Sequence, residues 1–126
     1  HADLSLERLF SWVFWPLSWL LGVSARDVSK VANLLGQKTV LNEFVAYTSL
    51  SEALARDPAW LSERSRIICS YALCGFANFG SIGIQIGGYA SLAPERRAVF
   101  ARIAPRAMLG GLLATSLVSC VAGLFV

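Results

Sequence analysis

VANLLGQKTVLNEFVAYTSL, residues 31–50, contains two apolar runs, 31–35 and 40–50, separated by Gly36, Gln37, Lys38 and Thr39. Each arm is about half the length required to cross a hydrocarbon core of about 30 Å. A glycine-led polar break between two such arms predicts a re-entrant hairpin over residues 28–57, with its tip near the middle of a bilayer. Unpaired backbone at that depth is tolerated only beside protein or a water-filled cavity, which makes the tip, Gln37, Lys38, Thr39 and Asn42, a site candidate. Asn42 and Glu43 follow the break directly and are expected in the first turn of a half-helix. There the free amides and the positive end of the dipole stabilise a carboxylate.

An ionised Glu43 offers acceptors only, which suits a ligand presenting two neighbouring hydroxyls. A charge at this depth costs about 2.5 to 3.5 kcal/mol unless it is paired or wet. Glu43 is therefore hard to explain as filler. Lys38 either neutralises Glu43 or extends its long stem toward water.

Outward from the hairpin, the rest of the chain supports a lipid solvent. The 126 residues are 56% hydrophobic and only 15% charged, too apolar for a soluble domain of this size to hide in one core. The chain starts at His1 without a basic stretch, a short apolar run and a cleavage site, and reads as a fragment of something longer. Residues 1–27 carry Trp12, Trp15 and Trp19 at helical spacing, with Phe10 and Phe14 beside them and a break at Pro16. Such a stripe suits an interfacial amphipathic helix, and a kinked helix packed on protein is the alternative.

After the polar connection of Arg56, Asp57, Pro58, Glu63, Arg64 and Arg66, residues 67–89 contain no charge and are long enough to span. Gly75, Asn78, Gly80, Ser81, Gly83 and Gln85 crowd the part that lipid would want most apolar. Residues 58–92 are thus expected to form a discontinuous transmembrane helix, with freed amides and carbonyls facing a cavity. In the alternative, Gly83 and Gly87 form a packing face and Asn78 bonds a neighbouring helix. Asn78 and Ser81 both donate and accept and could meet the same ligand as Glu43, with Phe76 and Phe79 as apolar walls. The substrate should be small, uncharged and hydroxyl-rich.

In residues 93–126, Glu95, Arg96, Arg97, Arg102 and Arg106 form a basic connection before a last apolar run at 107–126, read as a final transmembrane helix. The positive-inside rule places that connection in the cytoplasm, Val126 outside and the hairpin opening outward. Gly110, Gly111, Ala114 and Ser119 are expected close-packing positions. Cys69, Cys74 and Cys120 show no framework or metal-ligand spacing and are expected to pack as small apolar residues. The net charge of +3 sits at the ends of apolar segments, which argues against nucleic acid.

Enzyme motifs do not survive inspection. Gly80-Ser81-Ile82-Gly83 follows Phe79 and lacks the first glycine of a nucleophile elbow, and the terminal His1 is no base for it. Gly36-Gln37-Lys38 lacks the upstream glycine of a phosphate loop.

Two long motifs resemble the concentrative nucleoside transporter family. Gly36-Gln37-Lys38-Thr39-Val40-Leu41-Asn42-Glu43-Phe44-Val45-Ala46-Tyr47 is similar to its second-hairpin motif. Cys74-Gly75-Phe76-Ala77-Asn78-Phe79-Gly80-Ser81-Ile82-Gly83 is similar to its discontinuous-helix motif, with Gly87-Gly88 and Leu92-Ala93-Pro94 behind it. Gly80 stands where the family commonly carries Ser, which leaves the position beside Ser81 less constrained.

The resemblance implies an all-α polytopic membrane protein, multi-pass in the plasma membrane (a bacterial-type inner membrane), of which this chain is the second inverted repeat. It implies a homotrimeric symporter that moves nucleosides inward with sodium or protons, without a further cofactor or resident metal. Glu43, Asn78 and Ser81 would bind the ribose, with Phe76 lining it, while the first repeat would bind the base and the coupling ion. A channel or a structural membrane subunit without coupled transport is the alternative reading of the same broken helices.

Overall fold

The computed structural model describes residues 6–126, with side chains from Arg8 onward, so His1 and the first residues of the aromatic stretch lie outside the described part. The described residues form six α-helices and one short 3-10 turn, with no strand. They are α1 (Leu6–Leu20), α2 (Val28–Val40), α3 (Glu43–Arg56), α4 (Glu63–Leu73), α5 (Phe79–Leu92) and α6 (Arg97–Gly123), with the turn at Pro94–Arg96.

Helix α1 lies along α2, and its aromatic residues divide by face. Phe14 is buried and Phe10 half-buried, whereas Trp12, Trp15 and Trp19 are exposed. The break expected at Pro16 does not occur, because α1 runs through it. A proline removes only its own amide from the ladder, and the packed face beside it holds the remaining turns. The helix ends at Gly22, whose φ of 84° is in the left-handed region that favours glycine, and its amide donates to Trp19 O. Arg64 at the start of α4 donates through Nε to the Gly22 carbonyl at 3.1 Å and through a terminal nitrogen to Gly123 O at 2.6 Å. One side chain thereby ties the ends of α1 and α6 to α4.

The core lies between α1, α2, α3 and α4, where Leu21, Val31, Leu35, Leu50, Ile68 and Leu73 are buried together. Each such side chain contributes about 1.5 to 3 kcal/mol of apolar burial. The outer layer is α5 and α6, packed on each other and, through α6, on α4. Ser81 is the only buried residue of α5. Ile84, Tyr89 and Leu92 on α5 and Leu109, Leu113 and Leu117 on α6 leave broad apolar surface exposed.

Asp27 precedes α2 and is fully buried, yet it caps no amide of its own helix. Its Oδ2 instead accepts from Ser62 N at 3.0 Å and Ser62 Oγ at 2.8 Å, at the N-cap of α4. Burial alone would raise the Asp27 pKa. The hydrogen bonds from Ser62 and Ser65 and the charge of Lys30 outweigh it, so the pKa lies below the ordinary carboxylate value.

A depressed folded-state pKa means the stabilisation is complete above the unfolded value and is lost as pH falls through the folded one. Asp27→Asn is expected to destabilise the purified protein by about 1 to 2 kcal/mol at neutral pH, since charge-assisted bonds become neutral ones. The melting difference from wild type should hold from pH 7 to 5 and shrink below about pH 4. A difference that ignored pH would show that the charge contributes nothing.

Two boundaries differ from the sequence expectation. Gly36, Gln37, Lys38 and Thr39 are helical, and only Leu41 and Asn42 separate α2 from α3. Local bonds extend α2 through this stretch: Gln37 Nε2 to Asn33 Oδ1, Thr39 Oγ1 to Leu35 O, and Leu41 N to Gln37 O. Arg97, Arg102 and Arg106, expected in a connection, belong to α6. Arginine is a good helix former, and α6 continues through Pro105 to Gly123. Its 27 residues extend about 40 Å, so the basic first turns need not enter a hydrocarbon layer. Residues Pro94–Gly123 are the one described stretch long and apolar enough to cross a membrane as a continuous helix.

Candidate functional site

Two asparagines begin the two helices that meet at the site. Asn42 has extended backbone, φ −168° and ψ 171°, and its side chain accepts from Val45 N at 2.9 Å, starting α3. Asn78, with φ −143° and ψ 166°, accepts through Oδ1 from Ser81 N at 2.8 Å and Ser81 Oγ at 2.9 Å, starting α5. These are N-caps, which the backbone needs because the first turn of a helix leaves its amides unpaired.

The second cap also sets the chemistry. The Ser81 amide can only donate, so the Asn78 side-chain oxygen must face it and the NH2 group must face away. That NH2 donates to Glu43 Oε2 at 3.0 Å. Glu43, the first residue of α3, is half-buried, and among the described residues its Oε1 accepts nothing. The positive ends of α3 and α5, each equivalent to about half a charge, therefore converge on one carboxylate.

A cavity of about 260 Å³ opens on this carboxylate, lined by Asn42, Glu43, Phe44, Phe76, Asn78 and Ser81 among others. The volume falls just below the range of about 300 to 1,000 Å³ of complete small-molecule pockets. A second cavity of about 420 Å³ lies between the 74–78 break, α5 and α6, and Gln85, Met108 and Thr115 belong to its wall. Phe76, Asn78 and Ser81 line both. Phe76 is 56% exposed.

The structure thus brings Glu43, Asn78, Ser81 and Phe76 to one place. Ser81 lies in the first turn of α5 rather than in unwound chain, because the Asn78 cap begins the helix before it. Phe79 joins neither cavity; its ring packs edge-on against Phe10 of α1 with centroids 5.8 Å apart. Of the four tip residues only Asn42 reaches the Glu43 cavity. Gln37 Nε2 and Thr39 Oγ1 bond within α2, while Gln37 Oε1 is buried without a partner among the described residues. Lys38 forms no ion pair with Glu43 within 4 Å and does not reach water; it is fully buried.

Several small residues also depart from expectation. Gly83, Gly87 and Gly110 have no atom within 4 Å of a built side-chain position, so they are not packing faces within the described residues. Ala114 is likewise exposed, while Ser119 is buried and Gly111 meets Ala77. Cys69 packs in the core, but Cys74 is exposed at the helix break.

Gly75 was legible only as one of several glycines, yet a Cβ there would lie 2.4 Å from Thr115 Cγ2. Gly75→Ala is expected to force the break away from α6 and to destabilise the protein by about 1 to 3 kcal/mol, read as a lower melting temperature. An unchanged melting temperature and unchanged ligand binding would show that the break has slack.

The family model described as Na+ dependent nucleoside transporter C-terminus matches residues 1–123. Solute carrier family 28 member 3 of Mus musculus is 44% identical over 135 residues, covering 98% of this chain and 19% of that protein. Sodium/nucleoside cotransporter 1 of Rattus norvegicus is 46% identical over 132 residues, covering 96% of this chain and 20% of that protein. Among solved structures, CNTnw in an inward-facing substrate-bound state matches with a TM-score of 0.90 and 42% identity, covering 99% of this chain and 30% of that one.

A CNTnw variant in an outward-facing state matches with a TM-score of 0.89 and 41% identity, again covering 99% and 30%. The chain therefore spans about a fifth of the curated relatives and under a third of the solved ones. The match of the family model over nearly the whole chain, together with these likenesses, shows that the chain belongs to the C-terminal family of Na+-dependent nucleoside transporters, which are transporters and not enzymes.

Proposed function

We propose that this chain supplies the ribose-binding half of a cation-coupled nucleoside symporter that works by alternating access. The observation that carries the reading is the bond from Asn78 Nδ2 to Glu43 Oε2 across two helix N-termini, beside a cavity that Glu43, Asn78 and Ser81 all line. A carboxylate held this way accepts from vicinal hydroxyls, Asn78 and Ser81 supply further polar contact, and Phe76 offers an aromatic face. A ribose presents those hydroxyls, and Phe76 lines it.

In this reading α1 lies at the bilayer interface, α2 and α3 are a re-entrant hairpin, and α4 and α5 are one interrupted span. Each of these helices has 11 to 15 residues, shorter than the roughly 20 needed to cross alone. The comparable fit to inward-facing and outward-facing CNTnw supports a part that moves as a unit rather than refolding. The base and the coupling ion, sodium or a proton, bind chiefly to the first repeat. The whole protein is a multi-pass plasma-membrane homotrimer.

The test is equilibrium binding of uridine and adenosine to the full-length protein in sodium, in potassium and across pH. Saturable binding enhanced by sodium or by acid is expected, and the pattern identifies the ion. No nucleoside binding under any of these conditions would remove the reading.

A further inference from the structure

The end of α4 at the break has four carbonyls with no partner in their own helix, and all of them are matched. Cys74 N donates to Tyr71 O and Gly75 N to Leu73 O, both local. The other two donors come from the hairpin: Tyr47 OH from α3 to Ser70 O at 2.6 Å, and Lys38 Nζ from α2 to Ala72 O at 2.8 Å. Lys38 is the largest fully buried side chain described, and no carboxylate lies within 4 Å of its ammonium. A buried charge without an ion pair must be matched some other way. The C-terminal end of α4 carries about half a negative charge at the carbonyls it meets.

The hairpin thus presents opposite charges to the two sides of one gap, Lys38 to the carbonyl end of α4 and Glu43 to the amide end of α5. Carbonyl-rich ends of interrupted helices are where transporters bind a free monovalent cation. Resting on the reading as a coupled nucleoside transporter, we propose that Lys38 is a tethered cation that takes the place of such an ion in this half. It acts as a positioning residue, holding the break that carries Phe76 and Asn78 against the hairpin that carries Glu43.

The test compares Lys38→Ala and Lys38→Met in the full-length protein reconstituted into liposomes. Methionine fills most of the same space without charge, whereas alanine leaves a cavity a small cation can enter. Uridine affinity and uptake are expected to fall about tenfold or more in both, as for loss of a charged hydrogen bond. Added propylammonium or raised sodium should restore Lys38→Ala and leave Lys38→Met low.

Wild-type behaviour of Lys38→Met would overturn the proposal. So would loss in both variants with no recovery under any monovalent cation, since a purely structural residue behaves that way. The unaltered protein decides the case in which neither variant folds: Lys38 should resist reductive methylation while the chain's other lysine, the part-exposed Lys30, is modified. Equal modification of the two would overturn the proposal as well. A wild-type protein that neither binds nor carries uridine would instead remove the nucleoside reading, and the methylation pattern would then judge only whether Lys38 stays buried against the end of α4.

Discussion

Glu43→Gln in the full-length protein is expected to lower uridine uptake about a hundredfold or more, with the amount of protein in the membrane unchanged. Gln has nearly the shape of Glu and can keep one acceptor toward Asn78 Nδ2, so the contact between hairpin and broken helix survives in part. What it loses is the negative charge that strengthens bonds from sugar hydroxyls. Bonds to charged groups contribute about 1.5 to 3 kcal/mol each against about 1 for neutral ones, and two hydroxyls bring the loss to a few kcal/mol. The effect on α3 itself is small, about 0.3 to 1 kcal/mol for a first-turn acid. Transport should therefore fall far more than stability.

The same cycle has an internal control. A nucleoside lacking both the 2′ and 3′ hydroxyls should bind wild type and Glu43→Gln with similar, weak affinity, because the partner of the lost charge is already absent. Wild-type uptake by the variant, or an equal penalty for the dideoxy ligand, would remove Glu43 from the ribose.

Asn78 is expected to give the second largest effect, and two variants separate its two tasks. Asn78→Ala removes the cap that meets Ser81 N and Oγ, and should cost about 1 to 2 kcal/mol of stability together with nearly all uptake. Asn78→Asp keeps an oxygen for the cap, since Asp caps as well as Asn, but replaces the donor that faces Glu43 with a second acceptor. That variant should keep the cap yet lose uptake, because two carboxylates then contest one place; their repulsion should also lower the melting temperature at neutral pH, and the loss should ease in acid as one of them takes up a proton. Uptake retained by Asn78→Asp would show that the bond to Glu43 is dispensable. A melting loss equal to that of Asn78→Ala that persisted in acid, where the repulsion is relieved, would place the whole role of Asn78 in folding.

The sequence by itself determined the segmentation: apolar arms too short to cross, polar residues inside an uncharged stretch, and an acid just after a polar break. These signals are local. A run length and a charge after a break act over a few residues, and so they can be read without knowing what packs where. The aromatic face of α1 divided as its spacing predicts, because the same helical period that placed Phe14 inward placed Trp15 outward.

Only the tertiary structure decided what each polar group meets. Glu43 and Asn78 are 35 residues apart in the chain, and no local pattern says that their side chains touch. Lys38 lies five residues before Glu43, near enough in sequence to suggest an ion pair, yet it turns to the Ala72 carbonyl, 34 residues onward. The turn between α2 and α3 shrank to two residues because a helix continues as long as its own bonds and buried face support it. Spacing along a chain limits which groups can share a helix face, whereas pairing between helices is set by how their buried surfaces fit, and that becomes visible only once the helices are packed.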